Sequence, residues 1–329
     1  MSNTTAHDVL ARVPAIALAP GSTSLEPLPR LAEALGLRAR LLVKRDDAIS
    51  FGFGGNKVRK MEFVLRAALD AGAETLITCG GVQSNHARVT AAAAARHGLS
   101  CVIVANGQPP ERLTANALLD ALLGAEVRYV DDRDARAPAM AAIAAGLEAE
   151  GRRPFVVPLG ASTPVGALGY VRAVEELAAQ CDRGQPWPDV IVHATSSGGT
   201  QAGLVAGCRL FGREARVIGI SADDPAPALQ ARIAELLGGI ETVLALPAAT
   251  LGALPAEVDD SFVGEGYGVA TAASREAQAL AARTEALFVD HTYTAKALAG
   301  LIAYAREGRF EDARTVLFWH TGGQVGLFA

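Results

Sequence analysis

From about residue 41 onward the chain alternates short apolar, β-branched runs with longer Ala- and Leu-rich segments, and that alternation leaves few folds open. Strands are expected at 75–79, 101–105, 127–130, 155–158, 190–194, 217–221 and 316–320. Helices are expected at 56–71, 87–97, 112–123, 165–180, 201–211 and 274–287. Gly72, Gly98 and Gly124 stand at stop positions, where a left-handed residue ends a helix. The strand runs are apolar throughout rather than on alternate positions, so each needs cover on both faces. Such a succession predicts an α/β chain with doubly wound, largely parallel sheets. Residues 48–160 hold enough alternating elements to close as a smaller α/β domain. Residues 1–47 plus 161–329 then form the larger one, with the N-terminal stretch packed on it. No Ser-, Gly- or Pro-rich linker marks the boundary, and no internal repeat is present.

With 329 residues, half of them hydrophobic and a fifth charged, the chain can fill two cores of ordinary size. A net charge of −5 without any basic run argues against a nucleic-acid surface. The four cysteines, at 79, 101, 181 and 208, show no metal-site spacing, and three fall in or beside apolar runs, as buried thiols of a reducing compartment do. Residues 1–18 carry Asp and His and lack the pattern of a secretory leader, and no apolar stretch approaches the ~20 residues of a membrane span. The expectation is a cytoplasmic protein with no membrane or nucleic-acid partner and no metal.

Lys and Arg number 30 together, yet only four are Lys, at 44, 57, 60 and 296. A chain that writes nearly all its positive charge as Arg can be keeping Lys for what a guanidinium cannot do, above all condensing with an aldehyde. A plain bias toward Arg, with four surface lysines, is the alternative. Lys57 is the first candidate, in Gly54-Gly55-Asn56-Lys57-Val58-Arg59-Lys60. The glycines permit close backbone approach, Asn56 can cap the helix, and the positive helix end lowers the Lys57 amine. Lys60, three residues on, shares its face and can neutralise an anion.

Three further segments stand out, the first two of them just after strand candidates. Ser84-Asn85-His86 opens a helix, where N–H groups and hydroxyls suit a carboxylate, although for this segment alone a bare cap with Gly80-Gly81 as the turn is the better explanation. Thr195 to Gly203 is rich in hydroxyls and glycine and can wrap a monophosphate, or be a simple turn; it matches neither a P-loop nor the dinucleotide fingerprint. Tyr293 heads a third segment with Lys296, and Tyr267 lies in Gly264-Glu265-Gly266-Tyr267-Gly268. Both are acid/base candidates, though a lone Tyr is more often packing.

Together these pieces resemble one family, the pyridoxal-phosphate enzymes of tryptophan-synthase β-like fold, in the branch of D-cysteine desulfhydrase and 1-aminocyclopropane-1-carboxylate (ACC) deaminase. Lys44-Arg45-Asp46-Asp47, GGNKVRK, VQSNHAR, SSGGTQAG and the closing HTGG stand in the family's order and spacing, while Ser24 replaces a usual Pro. The resemblance implies pyridoxal 5'-phosphate in the cleft between the domains and a homodimer. By motif position, Lys57 is the Schiff-base lysine and Lys60 a phosphate neighbour. Asn85 meets the phenolic oxygen; Ser84 and the Asn85–His86 backbone hold the substrate carboxylate. Ser197, Gly198, Gly199 and Thr200 cradle the phosphate, Tyr267 lies against the ring, Thr321 sits near its nitrogen, and Tyr293 faces the substrate.

Where deaminase-like relatives place Glu after the Tyr, this chain has Thr294, and His86 replaces their Gln. A hydroxyl beside the ring nitrogen makes a weaker electron sink than a carboxylate does, which favours loss of a β-substituent over ring opening. The expected function is therefore α,β-elimination on a small β-substituted amino acid, D-cysteine first, giving pyruvate, ammonia and sulfide. L-Cysteate sulfo-lyase is the alternative, then ACC deaminase, then a non-catalytic cofactor-binding protein. A nicotinamide oxidoreductase lacks its fingerprint here.

Overall fold

The computed structural model describes residues 6–251 and 254–329, so the first five residues of the stretch read above for a leader lie outside it. Helix α1 (Ala6–Ala11) is followed by β1 (Leu25–Pro27), α2 (Pro29–Ala34) and β2 (Arg40–Arg45). Next come α3 (Asn56–Asp70), β3 (Thr75–Gly81), α4 (Asn85–Arg96), β4 (Ser100–Asn106), α5 (Ala115–Leu122), β5 (Glu126–Val130), α6 (Arg136–Ala149) and β6 (Pro154–Val156). The chain continues through α7 (Pro164–Asp182), β7 (Val190–Thr195), α8 (Gly199–Leu210), β8 (Arg216–Ser221), α9 (Ala226–Val243) and β9 (Glu257–Asp259). It closes with α10 (Ala272–Glu285), α11 (Thr294–Arg306) and β10 (Thr315–His320).

Two sheets result, a four-stranded one ordered β5-β4-β3-β6 and a six-stranded one ordered β1-β2-β10-β7-β8-β9. Every pairing is parallel except β1 with β2. All six residues of β7 and of β10 are buried, the signature of central strands with helices on both faces. In the smaller sheet β5 lies at the edge, and none of its residues is fully buried.

The seven strand segments expected from the sequence are all present. The three unforeseen ones are β1 and β9, of three residues each, and β2, whose Leu41-Leu42-Val43 is flanked by charges. Four helices, α1, α2, α6 and α9, were also not anticipated; the first two have six residues each, and α6 buries only Met140 and Ile143 and shows almost no apolar stripe. Gly80 and Gly81 prove to belong to β3, and the turn before α4 is formed by the residues that follow them.

What locks α3 in place is a buried cluster of charge. Asp46 has no exposed surface and accepts from Arg59 Nε at 2.9 Å and Nη2 at 2.7 Å, from Tyr170 Oη at 2.6 Å and from Trp319 Nε1 at 2.8 Å. Burial alone raises that carboxyl, but the Arg59 cation and these hydrogen bonds hold it below the usual carboxylate range. Arg59 Nη1 also donates to Glu176 on α7 at 2.9 Å, and Glu176 accepts from Lys44 of β2. Helix α7 meets α3 at Gly169, where a Cβ would fall 2.2 Å from the Arg59 carbonyl oxygen. Backbone contact of that kind tolerates no side chain.

Asp46→Asn takes away one of the two carboxylates that answer the buried Arg59 and leaves the other, Glu176, shared with Lys44, so about 3–5 kcal/mol of stability should be lost. Urea denaturation should show a lowered midpoint. An unchanged midpoint would mean that the cluster does not hold the fold together.

Candidate active site

A cavity of about 520 Å³ opens where the C-terminal ends of strands from both sheets face each other. That is the end of an open α/β sheet at which ligands bind. Three strand-to-helix turns and the start of α3 build its walls.

Gly55, not Asn56, caps α3, in a backbone conformation (φ 97°) that suits only glycine. A Cβ there would also lie 3.0 Å from the Thr321 carbonyl oxygen. Asn56 is instead the first helical residue, and its side chain donates across the cavity floor to Thr200 Oγ1 at 2.9 Å. Lys57 follows on the cavity wall.

The four lysines are not surface residues. Lys44, Lys60 and Lys296 have no exposed surface, and each is held by protein oxygens. Lys44 reaches Glu176, Gln180 Oε1 (2.9 Å) and the Thr23 carbonyl (2.7 Å). Lys60 reaches the Gly160 carbonyl (3.2 Å) and Ser162 Oγ (3.0 Å), while Lys296 binds the carbonyls of Val263 and Gly266 at 2.8 Å. Lys57 alone among them has no hydrogen-bond or ion-pair partner among the described residues. Burial without a counter-charge pulls its amine down to about 8. Burial, and then the Lys57 charge, pull Lys60 well below the ordinary lysine value.

Helix α8 begins at Gly199 behind the left-handed Gly198 (φ 81°), so its first N–H groups point into the cavity. Ser197 Oγ lies 2.7 Å from Ser162 Oγ, which also accepts from the Gly199 N–H at 3.3 Å. A Cβ on Gly199 would fall 2.7 Å from Ser162 Oγ and 2.9 Å from Lys60 Nζ. Lys60 and Gly199 thus stand one layer behind the wall that Ser197, Gly198 and Thr200 form. The Thr195 hydroxyl, at the end of β7, is buried with no partner. N–H groups, three hydroxyls, a lysine and a glycine that admits no side chain match the demands of a phosphate monoester.

On the opposite wall Ser84 Oγ caps α4 by accepting from the Ala87 N–H at 3.2 Å. Asn85 Oδ1 accepts from Asn116 Nδ2 at 3.0 Å, which leaves the Asn85 amide N–H groups facing the cavity. His86 Nε2 sits 2.7 Å from Thr78 Oγ1 while its Nδ1 has no partner. Burial, then the lysine charges, hold this imidazole far below its usual value, so it is neutral at pH 7. Thr321 closes the floor beside Gly322.

Tyr267 and Tyr293 share a hydroxyl–hydroxyl hydrogen bond, with ring centroids 5.7 Å apart at 74°. Burial, and then Tyr267, raise the Tyr293 phenol well above its ordinary value. Thr294 is the one expected site residue that the geometry takes elsewhere. It is fully buried, its hydroxyl donates to Asp290 Oδ1 at 2.7 Å, and it does not reach the cavity. The reason is local: Asp290 gathers the N–H groups of Thr292, Tyr293 and Thr294, and Thr294 completes that turn. The hydroxyl on the wall is that of Thr321.

Sequence reasoning missed Asn56 and Ser162 in these roles, and missed Arg133, Arg136, Asp223, Asp224 and Arg232 altogether, all of which line the cavity. Arg133 and Arg136 lie in a charged run that reads as a solvated turn. Their signal was position, since that run follows β5, and Asp223-Asp224 follow β8.

Residues 16–322 match the family model described as pyridoxal-phosphate dependent enzyme. D-cysteine desulfhydrases of Salmonella newport (strain SL254) and Salmonella enteritidis PT4 (strain P125109) are each 39% identical over 329 residues, covering 97% of this chain and 97% of their own. A crystal structure of an ACC deaminase homologue superposes with a TM-score of 0.91 at 36% identity, over 100% of this chain and 97% of that one. A pyridoxal 5'-phosphate-dependent aspartate racemase shares the fold alone, with a TM-score of 0.67 at 16% identity over 97% of this chain and 93% of that one.

The amine acylates only when unprotonated, so in protein stripped of small molecules Lys57 should react with acetic anhydride slowly below about pH 8 and fully above it. Mass spectrometry should find Lys44, Lys60 and Lys296 labelled only after unfolding. A Lys57 midpoint near the ordinary value of ~10.4 would contradict the buried, unpaired amine.

Proposed function

The chain belongs to the pyridoxal-phosphate dependent enzymes, and from that footing we propose that it catalyses α,β-elimination on a small β-substituted amino acid, D-cysteine first, releasing pyruvate, ammonia and sulfide. The observation that carries the site assignment is the state of Lys57: on the wall, without a partner, and poised near neutrality.

Pyridoxal 5'-phosphate, when bound, supplies an aldehyde that captures amines and a ring that accepts electrons from the α-carbon. Lys57 would hold the aldehyde end. Ser197, Gly198, Gly199 and Thr200 would hold the phosphate, whose charge would also answer Lys60, which has only neutral oxygens as partners among the described residues. Asn85 would meet the phenolic oxygen, Tyr267 the ring face and Thr321 the ring nitrogen. Ser84 and the N–H groups of Asn85 and His86 would receive the substrate carboxylate at the start of α4.

Lys57 would take the α-proton as a base, since burial disfavours its ammonium and pulls the amine down to about 8. Tyr293 keeps its proton at neutral pH and so serves as an acid on the other side, with Tyr267 to share the hydrogen bond. A neutral His86 adds no charge beside the carboxylate.

ACC deaminase activity is the second reading, supported by the structural likeness at 36% identity. L-Cysteate sulfo-lyase activity is the third. Thr294 gives no weight to either side, since it lies off the wall. The proposal takes 48–160 as the smaller unit and 1–47 with 161–329 as the larger, since one sheet's strands fall wholly inside the first range and the other's outside it. It also takes the enzyme as a cytoplasmic homodimer, for which exposed Leu118, Leu122 and Phe328 offer apolar surface. Among the described residues no helix is long and apolar enough to cross a membrane.

Purified enzyme given D-cysteine, L-cysteine, L-cysteate and ACC should release pyruvate from at least one of the first three. 2-Oxobutyrate from ACC alone would replace elimination by ring opening. Lys57→Ala should lose both the bound cofactor's visible absorbance and turnover. Tyr293→Phe should keep the absorbance and slow turnover by about 10²–10⁴-fold; a fully active variant would remove Tyr293 from the mechanism.

A further inference from the structure

Three arginines reach the cavity wall, and they differ in what answers their charge. Arg133 pairs with Asp223 at 2.7 Å and lies over the Tyr267 ring, 5.2 Å from its centroid. Arg232 pairs with Asp224 at 3.0 Å and donates to the Ser196 carbonyl at 3.0 Å. Arg136 has no carboxylate within ion-pair distance among the described residues. Its Nε donates to the Arg133 carbonyl at 3.0 Å, and Nη1 stands 3.5 Å from Asn106 Oδ1, the limit of a hydrogen bond. Nη2 has no hydrogen-bond partner among the described residues.

Arg136 is half-buried, so its charge is partly desolvated without an anion in return. It belongs to the smaller sheet's side of the cavity, at the start of α6 and next to Asn106 at the end of β4. The phosphate-like demand is met elsewhere, by α8 of the larger sheet. A carboxylate at α4 is met by Ser84 and the N–H groups after it. One guanidinium is left over, and guanidinium matches oxyanions in two-point geometry.

We propose that Arg136, helped by Asn106, is a specificity residue that recognises an anionic β-substituent of the substrate, a thiolate or, with more oxygens to engage, a sulfonate. The assignment rests on the elimination reading above. It places anionic β-groups ahead of neutral ones of similar size, because only an anion answers the unpaired charge.

The test has a binding arm and a turnover arm. Binding of 3-sulfopropanoate and of propanoate to the cofactor-loaded enzyme is measured by titration calorimetry for wild type, Arg136→Gln and Arg136→Lys. The wild type should prefer the sulfonate by about 10-fold or more, Arg136→Gln should lose that preference, and Arg136→Lys should recover part of it. In the turnover arm, pyruvate release is compared between cysteate and β-chloroalanine, both enantiomers of each. The kcat/KM ratio of cysteate to β-chloroalanine should fall by about 10-fold or more in Arg136→Gln. Equal losses on both substrates with no rescue by Lys, or an unchanged ratio and unchanged sulfonate binding, would overturn the proposal. If the wild type releases pyruvate from neither of these substrates nor from D- or L-cysteine, the elimination reading fails, and calorimetry still decides whether Arg136 reads the anion.

Discussion

Asp46 lies without exposed surface among four elements, and its two oxygens collect donors from each of them: Arg59 of α3, Tyr170 of α7, Trp319 of β10 and Thr23 ahead of β1. A buried carboxylate of this kind is tolerable only when every partner is in place, so it fixes those elements relative to one another. Its main partner, Arg59, is two residues from Lys57 on the same helix. The amine on the cavity wall is therefore positioned by an ion pair on the far side of α3. Gly169 at the α3–α7 contact completes the constraint by letting the two backbones meet.

The lysines show how the same side chain serves two ends in one chain. Three are interior amines whose compact heads reach carbonyl, hydroxyl and carboxylate oxygens. The fourth has no oxygen partner among the described residues. Scarcity of Lys thus marks burial, and it is the missing partner that marks the candidate for chemistry. Neither the reading of four surface lysines nor the simple equation of rarity with catalysis describes the molecule.

The central strands and their helices were legible because fully apolar runs and glycine stops are local signals. Strand β2 was not, because Lys44 and Arg45 interrupt its pattern and are neutralised by Glu176 and Glu26 from elsewhere in the chain and by Asp47 two residues on. The turns at 84–86 and 195–203 were visible as strand-to-helix transitions rich in small polar residues. Ser162 carried no such signal, as its role comes only from lying under Ser197 and Lys60. Thr294 looked like a site residue by its place beside Tyr293, yet helical geometry turns successive side chains about 100° apart and sends it into the Asp290 turn.

By itself the sequence determined the fold class, the family and the motif residues, since each depends on residue type and spacing along the chain. Only the tertiary structure decided which of these residues share a wall, which lysine is unpaired, and which arginine lacks an acid. Those are questions of what surrounds a charge, and a charge's surroundings are assembled from segments far apart in sequence: Arg59 meets an acid 13 residues before it, and Arg133 one 90 residues after it. Desolvation and Coulomb interaction act through space, so no local pattern can encode their balance.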